Sequence, residues 1–197
     1  MKRAPYCLFE TTLGSCGIAW TENGDSSSLP AVAFFQLPES SEKLTQIRME
    51  RVCGAYQPAK PPAMIDVVMK RVRLHLEGKP QDFRDVPLDL EDAGSFARRV
   101  YEAARDIPAG ETRTYGEIAK LLKQPAAARA VGQALGRNPI PLIIPCHRVL
   151  AAGGKAGGFS APGGRLTKAR ILALEGVTLE PPSLPKLQRT FWEITRP

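Results

Sequence analysis

A cysteine is a strong nucleophile only as its thiolate, and the free thiol has a pKa near ~8.5, so a reactive cysteine needs a base or a cation nearby. Pro145-Cys146-His147-Arg148-Val149 supplies thiol, imidazole and guanidinium in consecutive positions. Adjacency does not couple them by itself. In an extended segment neighbouring side chains point to opposite faces, and Cys146 would turn away from His147. Either this segment is a helical turn, or a water carries the proton from sulfur to imidazole. The plain alternative is a small buried thiol. The stretch that follows, 151–165, holds six glycines around Phe159 and Ser160, which would let backbone amides and carbonyls approach a flat ligand closely. It is not a phosphate loop, because Ala156 follows Lys155 where Ser or Thr is required. A mobile surface loop is its alternative. Glu175 ends a helical stretch, 166–175, that Gly176 closes. A carboxylate there opposes the helix dipole by about 0.3–1 kcal/mol. Such a conflict suits a group that accepts one N–H of His147 and leaves the other ring nitrogen free as a base. A salt bridge to Lys168 or Arg170 is the competing reading.

The remaining cysteines, Cys7, Cys16 and Cys53, form no C-x-x-C pair, and with His75 they make a conceivable zinc quartet. Their spacing matches no zinc motif, so no metal site is assigned and buried structural thiols are expected. The N-terminus, Met1-Lys2-Arg3, is followed by an apolar stretch that Glu10 interrupts, a poor signal peptide. No apolar run approaches the ~20 residues of a membrane helix. A cytoplasmic protein (nuclear in a eukaryote) with no membrane partner is expected.

The elements that must position these residues fall into two parts. Gly17–Trp20 and Ala31–Phe35 read as strands of a hairpin across the polar turn 22–28. Ile65, Val68, Met69, Val72 and Leu76 follow helical spacing up to Gly78. The acid-rich stretch 78–94, with Pro80 and Pro87, reads as a linker. Beyond it, Ser95 is expected to cap a helix with Phe96, Val100, Ala104 and Ile107 on one face. Thr114-Tyr115-Gly116-Glu117 spells a capping box, opening a helix that presents Ile118, Leu121 and Leu122. A second helix over 126–135 turns Ala128, Val131 and Leu135 inward and Arg129, Gln133 and Arg137 outward, among Ala126, Ala127, Ala130 and Gly132. Two short helices so tightly joined suggest helix-turn-helix DNA binding, against the alternative of a plain helical hairpin. Charge separates the parts as well. Residues 1–91 carry 11 basic and 12 acidic side chains, residues 92–197 carry 16 and 8. That surplus attracts polyanions, nucleic acid first; the alternative is a merely solubilising surface.

Several of these stretches together resemble the O6-alkylguanine-DNA alkyltransferases, the methylated-DNA–protein-cysteine methyltransferases. The resemblance runs from Thr114-Tyr115-Gly116-Glu117-Ile118-Ala119 through Ala128-Arg129-Ala130-Val131-Gly132, Asn138-Pro139, Pro145–Val149 and Gly158-Phe159-Ser160 to Leu172-Ala173-Leu174-Glu175-Gly176. It covers roughly residues 92–177 and is loose before them. It implies an α+β protein with a small N-terminal sheet-containing, RNase H-like domain (1–91), a catalytic helix-turn-helix domain (92–177) and a tail (178–197). It implies a monomer acting on double-stranded DNA that contains O6-alkylguanine, with no cofactor because the damaged base supplies the alkyl group. Cys146 would be the alkyl acceptor, His147 its base through water, Glu175 the holder of His147 and Asn138 the brace of the turn before the active-site strand. Tyr115 would turn the target phosphate and donate to guanine N3. Arg129 would fill the gap left by the flipped base, with Thr114, Ala128, Gly132 and Arg137 also at the DNA. The carbonyls of Cys146 and Val149 would receive the base's amine, Phe159 would wall the pocket and the Ser160 amide would lie near O6. Phe159 stands where the family often has Tyr, and Ala161-Pro162 lengthens the loop relative to some members. Read from the residues alone, two other functions stay open, a Cys-His hydrolase or acyltransferase and a DNA-binding module that leaves its thiol unmodified.

Overall fold

The hairpin read from 17–35 is part of a three-stranded antiparallel sheet. The computed structural model describes residues 4–21, 30–54 and 60–179. Strands β1 (Tyr6–Thr11), β2 (Gly14–Thr21) and β3 (Ala31–Gln36) lie in the order β1-β2-β3. The polar turn assigned to 22–28 lies outside the described residues. β1 was not legible as a strand because its outer face carries Glu10 and half-buried side chains, which blur the alternation. The sheet is covered on both faces. Cys16, Ile18 and Trp20 of β2 face the large core, while Ala19 turns to a second cluster with Met49 and Cys53. Those two come from α1 (Glu42–Cys53), a helix that sequence reading passed over because its buried stripe is only Thr45, Met49 and Cys53. α1 lies so close that a Cβ on Gly17 would come within 2.6 Å of the Met49 side chain. α2 (Ala63–Leu76) buries all five positions expected of it.

The stretch 78–94 is not a free linker. Phe83 and Val86 are buried, and Leu88 bridges Val32 in parallel. The Val32 amide donates to Pro87 O and its carbonyl accepts from Asp89 N. Arg105 Nη2 gathers the carbonyls of Phe83, Arg84 and Val86, pinning the segment to the next helix. That helix, α3 (Ser95–Arg105), takes its N-cap from Gly94 with no side-chain cap, so Ser95 is its first residue and not its cap.

A two-residue strand, β4 (Arg113–Thr114), leads into α4 (Tyr115–Leu121) and pairs in parallel with β5 (Val149–Leu150). The expected capping box is present in both directions: Glu117 N donates to Thr114 Oγ1 at 3.2 Å, and Thr114 N donates to Glu117 Oε2 at 2.6 Å. Leu121, expected to face inward, is 64% exposed; the buried stripe is Ile118, Ala119 and Leu122. A 3-10 turn over Pro125–Ala127 precedes α5 (Ala128–Gly136). Its inward residues are Val131, Ala134 and Leu135; Ala128, placed inward from sequence, is half-buried at the first turn. α6 (Gly164–Leu174) ends at Glu175, which occupies the C-cap. One hydrophobic core runs from Phe9 and Trp20 through Val72, Val100 and Ile144 to Ile171. Of the tail, residues 180–197 lie outside the described residues, while Leu179 is buried against Leu150, Ala169 and Leu172. Among the described residues no helix is long and apolar enough to cross a membrane.

Candidate active site

The apolar run Ile140–Ile144 folds into a turn. Ile144 N donates to Ile140 O at 2.8 Å, and Leu142 takes a φ of 74° while fully buried. A leucine held there costs about 1–3 kcal/mol, so the surroundings must fix it. Asn138 does so. Its Nδ2 donates to Ile144 O and its Oδ1 accepts from Ile140 N, both at 2.9 Å. From the other side β3 joins in, with Phe35 N donating to Pro139 O at 3.0 Å. Pro145 (φ −79°, ψ 62°) then forms an inverse γ-turn, with Cys146 N donating to Ile144 O at 2.7 Å.

Cys146–Arg148 make one 3-10 turn, the helical alternative considered above. Cys146 parts from the other two side chains. Cys146 lines a pocket of about 300 Å³, and His147 and Arg148 point inward to Glu175. His147 Nε2 lies 2.9 Å from Glu175 Oε1. With that nitrogen donating to the carboxylate, Nδ1 carries the lone pair; it is buried and has no hydrogen-bond partner among the described residues. Burial lowers the His147 pKa more than Glu175 can raise it, so the imidazole rests neutral. Burial alone would raise the Glu175 pKa, but N–H donors from His147 and His75, and the Arg148 guanidinium, hold it far below the usual carboxylate range.

The expectation that Arg148 activates the thiol is corrected. Arg148 Nη2 donates to Glu175 Oε1 at 2.7 Å, and its Nη1 donates to Ile107 O at 2.6 Å. Neither Lys168 nor Arg170 forms the competing salt bridge with Glu175. Lys168 is instead fully buried, with Nζ donating to Val149 O at 2.6 Å, and burial pushes its pKa down to about 8. The Cys146 thiol is itself pushed up by burial, opposed by Asn138 and by the Lys168 charge. At rest the sulfur therefore holds its proton, and the proton must leave as the reaction proceeds.

The pocket brings together Cys146, Tyr115, Phe159 and Ser160 with Gly132 and Gly136 of α5. Gly157 has to be glycine: its φ is 66°, and a Cβ would come within 3.0 Å of the Tyr115 hydroxyl. Val149 is not among the lining residues, and its carbonyl accepts one hydrogen bond from Lys168 Nζ, which occupies one of its two lone pairs. Arg129 on α5 and Arg137 at its C-cap are exposed, and neither forms an ion pair among the described residues. The conceivable zinc quartet does not assemble. Cys7 Sγ faces Met69 Sδ at 3.7 Å, Cys16 lies beside Thr11, Cys53 sits in another cluster and His75 has gone to Glu175.

A family model for the 6-O-methylguanine DNA methyltransferase DNA-binding domain matches residues 95–177. The methylated-DNA–protein-cysteine methyltransferase of Mycolicibacterium paratuberculosis is 42% identical over 137 residues, 67% of this chain and 79% of that protein. The chain belongs to the methylated-DNA–protein-cysteine methyltransferase family. The relative from Methanothermobacter thermautotrophicus is 39% identical, over 68% of this chain and 74% of its own. The solved O6-methylguanine methyltransferase of Mycobacterium tuberculosis superposes with a TM-score of 0.67 at 32% identity, covering 93% of this chain and 98% of that one. A structure of that organism's OGT in complex with DNA gives 0.64 at 32% identity, covering 89% and 92%.

Sequence reading of this methyltransferase missed two contributors, His75 and Lys168. Lys168 carried a faint signal, a lysine on the inward stripe of α6 beside Ile171 and Leu172. His75 carried none, because only the fold brings α2 to Glu175.

Proposed function

We propose that this chain repairs DNA directly, moving an alkyl group from O6 of guanine in duplex DNA to Sγ of Cys146, once per molecule. The observation that carries this reading is the pocket itself, lined by a thiol and by α5, with exposed Arg129 on that helix and exposed Arg137 at its C-cap. Extruding the base costs a few kcal/mol. Arg129 would enter the duplex to fill the gap, with Thr114, Ala128, Gly132 and Arg137 against the backbone, and Tyr115 would donate to the leaving guanine. The thiol proton passes through water to His147 Nδ1. Sulfur then attacks the alkyl carbon, the S–C bond forms as the C–O6 bond breaks, and guanine leaves with the electron pair and takes up a proton. Hydrogen bonds to the leaving base favour that step. The thioether has no easy hydrolysis, so the molecule is spent.

The finer architecture follows the same reading. Residues 1–91 form an RNase H-like supporting domain, 92–177 the catalytic domain with α4 and α5 as a helix-turn-helix, and 178–197 a tail, in a monomer. The test is direct. The chain is incubated with a duplex carrying O6-methylguanine, digested, and the Cys146 peptide weighed. One added methyl group per restored guanine is expected. Catalytic turnover would favour a hydrolase or acyltransferase, and tight binding with an unmodified peptide would favour a binding module; either overturns the proposal.

A further inference from the structure

The carboxylate that holds His147 has another imidazole on it, and that one comes from the N-terminal half. His75, at the end of α2, is fully buried and places Nε2 2.9 Å from Glu175 Oε1, the oxygen His147 also engages. Its tautomer is fixed: Gln81 N donates to His75 Nδ1 at 3.0 Å, so the ring proton sits on Nε2 and is donated to Glu175. Phe83 packs against the ring, with centroids 5.6 Å apart. Among the described residues, the charged or titratable groups facing Glu175 are His75 from α2, and His147 and Arg148 from the 3-10 turn.

We infer that His75 is a positioning residue for alkyl transfer: through its Nε2–H it fixes Glu175 and, through Glu175, the ring that takes the Cys146 proton. This rests on the reading above, with Cys146 as acceptor and His147 as base. One oxygen shared by two imidazoles and a guanidinium gives less of its charge to each. His75 thus keeps Glu175 from overstabilising protonated His147 and so preserves a neutral base. Arg148 holds both carboxylate oxygens through Nε and Nη2, and the His75 Nε2–H adds a further donor on Oε1, the oxygen that orients His147. The buried carboxylate is also the one His/Glu cluster among the described residues dense enough for a metal, but the Arg148 cation on it excludes that use.

The test compares wild type, His75→Phe and His75→Gln in single-turnover transfer from an O6-methylguanine duplex across pH, with DNA affinity measured in parallel. Wild type must transfer; if it does not, the functional reading fails and not this one. In His75→Phe the rate should fall about tenfold, the order one hydrogen bond to a charged group supplies. The acid limb of its pH profile should move up by roughly one unit as protonated His147 gains the freed charge. DNA affinity should hold, and His75→Gln, which keeps an N–H donor, should recover most of the rate. A folded His75→Phe with wild-type rate and limb overturns the proposal, as does equal loss in both variants with the limb unmoved. A measurement on the wild-type chain needs no variant to fold. The protein has only two histidines, and nitrogen-15 spectra should show two solvent-protected Nε2–H groups. A freely exchanging His75 ring overturns the inference.

Discussion

Cys16 in β2 and Cys146 in the catalytic turn are both buried thiols, and burial raises the pKa of each. Cys16, pushed up to about 12, has a threonine hydroxyl beside it and core on every other side. Cys146 borders a pocket, and Asn138 and Lys168 work against its burial. The adjacent backbone carries an imidazole with a free buried nitrogen. Depth therefore does not distinguish the two sulfurs. What separates them is a pocket beside one sulfur and an unpartnered imidazole nitrogen on the next residue.

The largest effect should come from Cys146→Ser, which removes transfer below detection, while Cys16→Ala leaves the rate per folded molecule unchanged. Peptide mass mapping after exposure to methylated DNA should find methyl on Cys146 and not on Cys7, Cys16 or Cys53; methyl elsewhere would erase the distinction. Next, Glu175→Gln should slow transfer about a hundredfold, the scale of a lost acid–base alignment, read by single-turnover kinetics. It should also change acid stability. Because the folded Glu175 pKa lies below its unfolded value of 4.5, its contribution is present above that pH and lost as pH falls. The variant's melting temperature should accordingly vary less than wild type's below about pH 4.5. The smallest effect concerns the sheet. Gly17→Ala drives a methyl into Met49 and should cost about 1–3 kcal/mol of unfolding free energy in denaturant titration, with the rate per folded molecule unchanged.

Local rules read well from the chain. The Thr114–Glu117 capping box, the inward stripe of α2 and the hairpin each depend on neighbours within a few positions, and all are present. Cys146, Tyr115, Phe159 and Ser160 share one pocket, and His147 meets Glu175, as the motifs implied. Errors arose where tertiary contact overruled local pattern. Arg148 turned from the thiol because Glu175 offers a full charge at closer range. Leu121 turned outward because the face that α4 buries is set by Ile118, Ala119 and Leu122, and Leu121 lies off it. The stretch 78–94 looked like a linker because its apolar residues, Phe83, Val86 and Leu88, have no period; their partners lie on β3 and α3. His75 was invisible for the same reason, since it meets Glu175 a hundred positions later.

β3 ends the sheet, and an outermost strand with open amides invites a strand from another molecule. Here that rim is already engaged. Val32 is paired with 87–89 and the Phe35 amide is given to Pro139. The hydrogen bonds that shape the turn before Cys146 thus also close the sheet against self-association along that side, so loosening the turn would expose a sticky edge as well as disturb the Cys146 site.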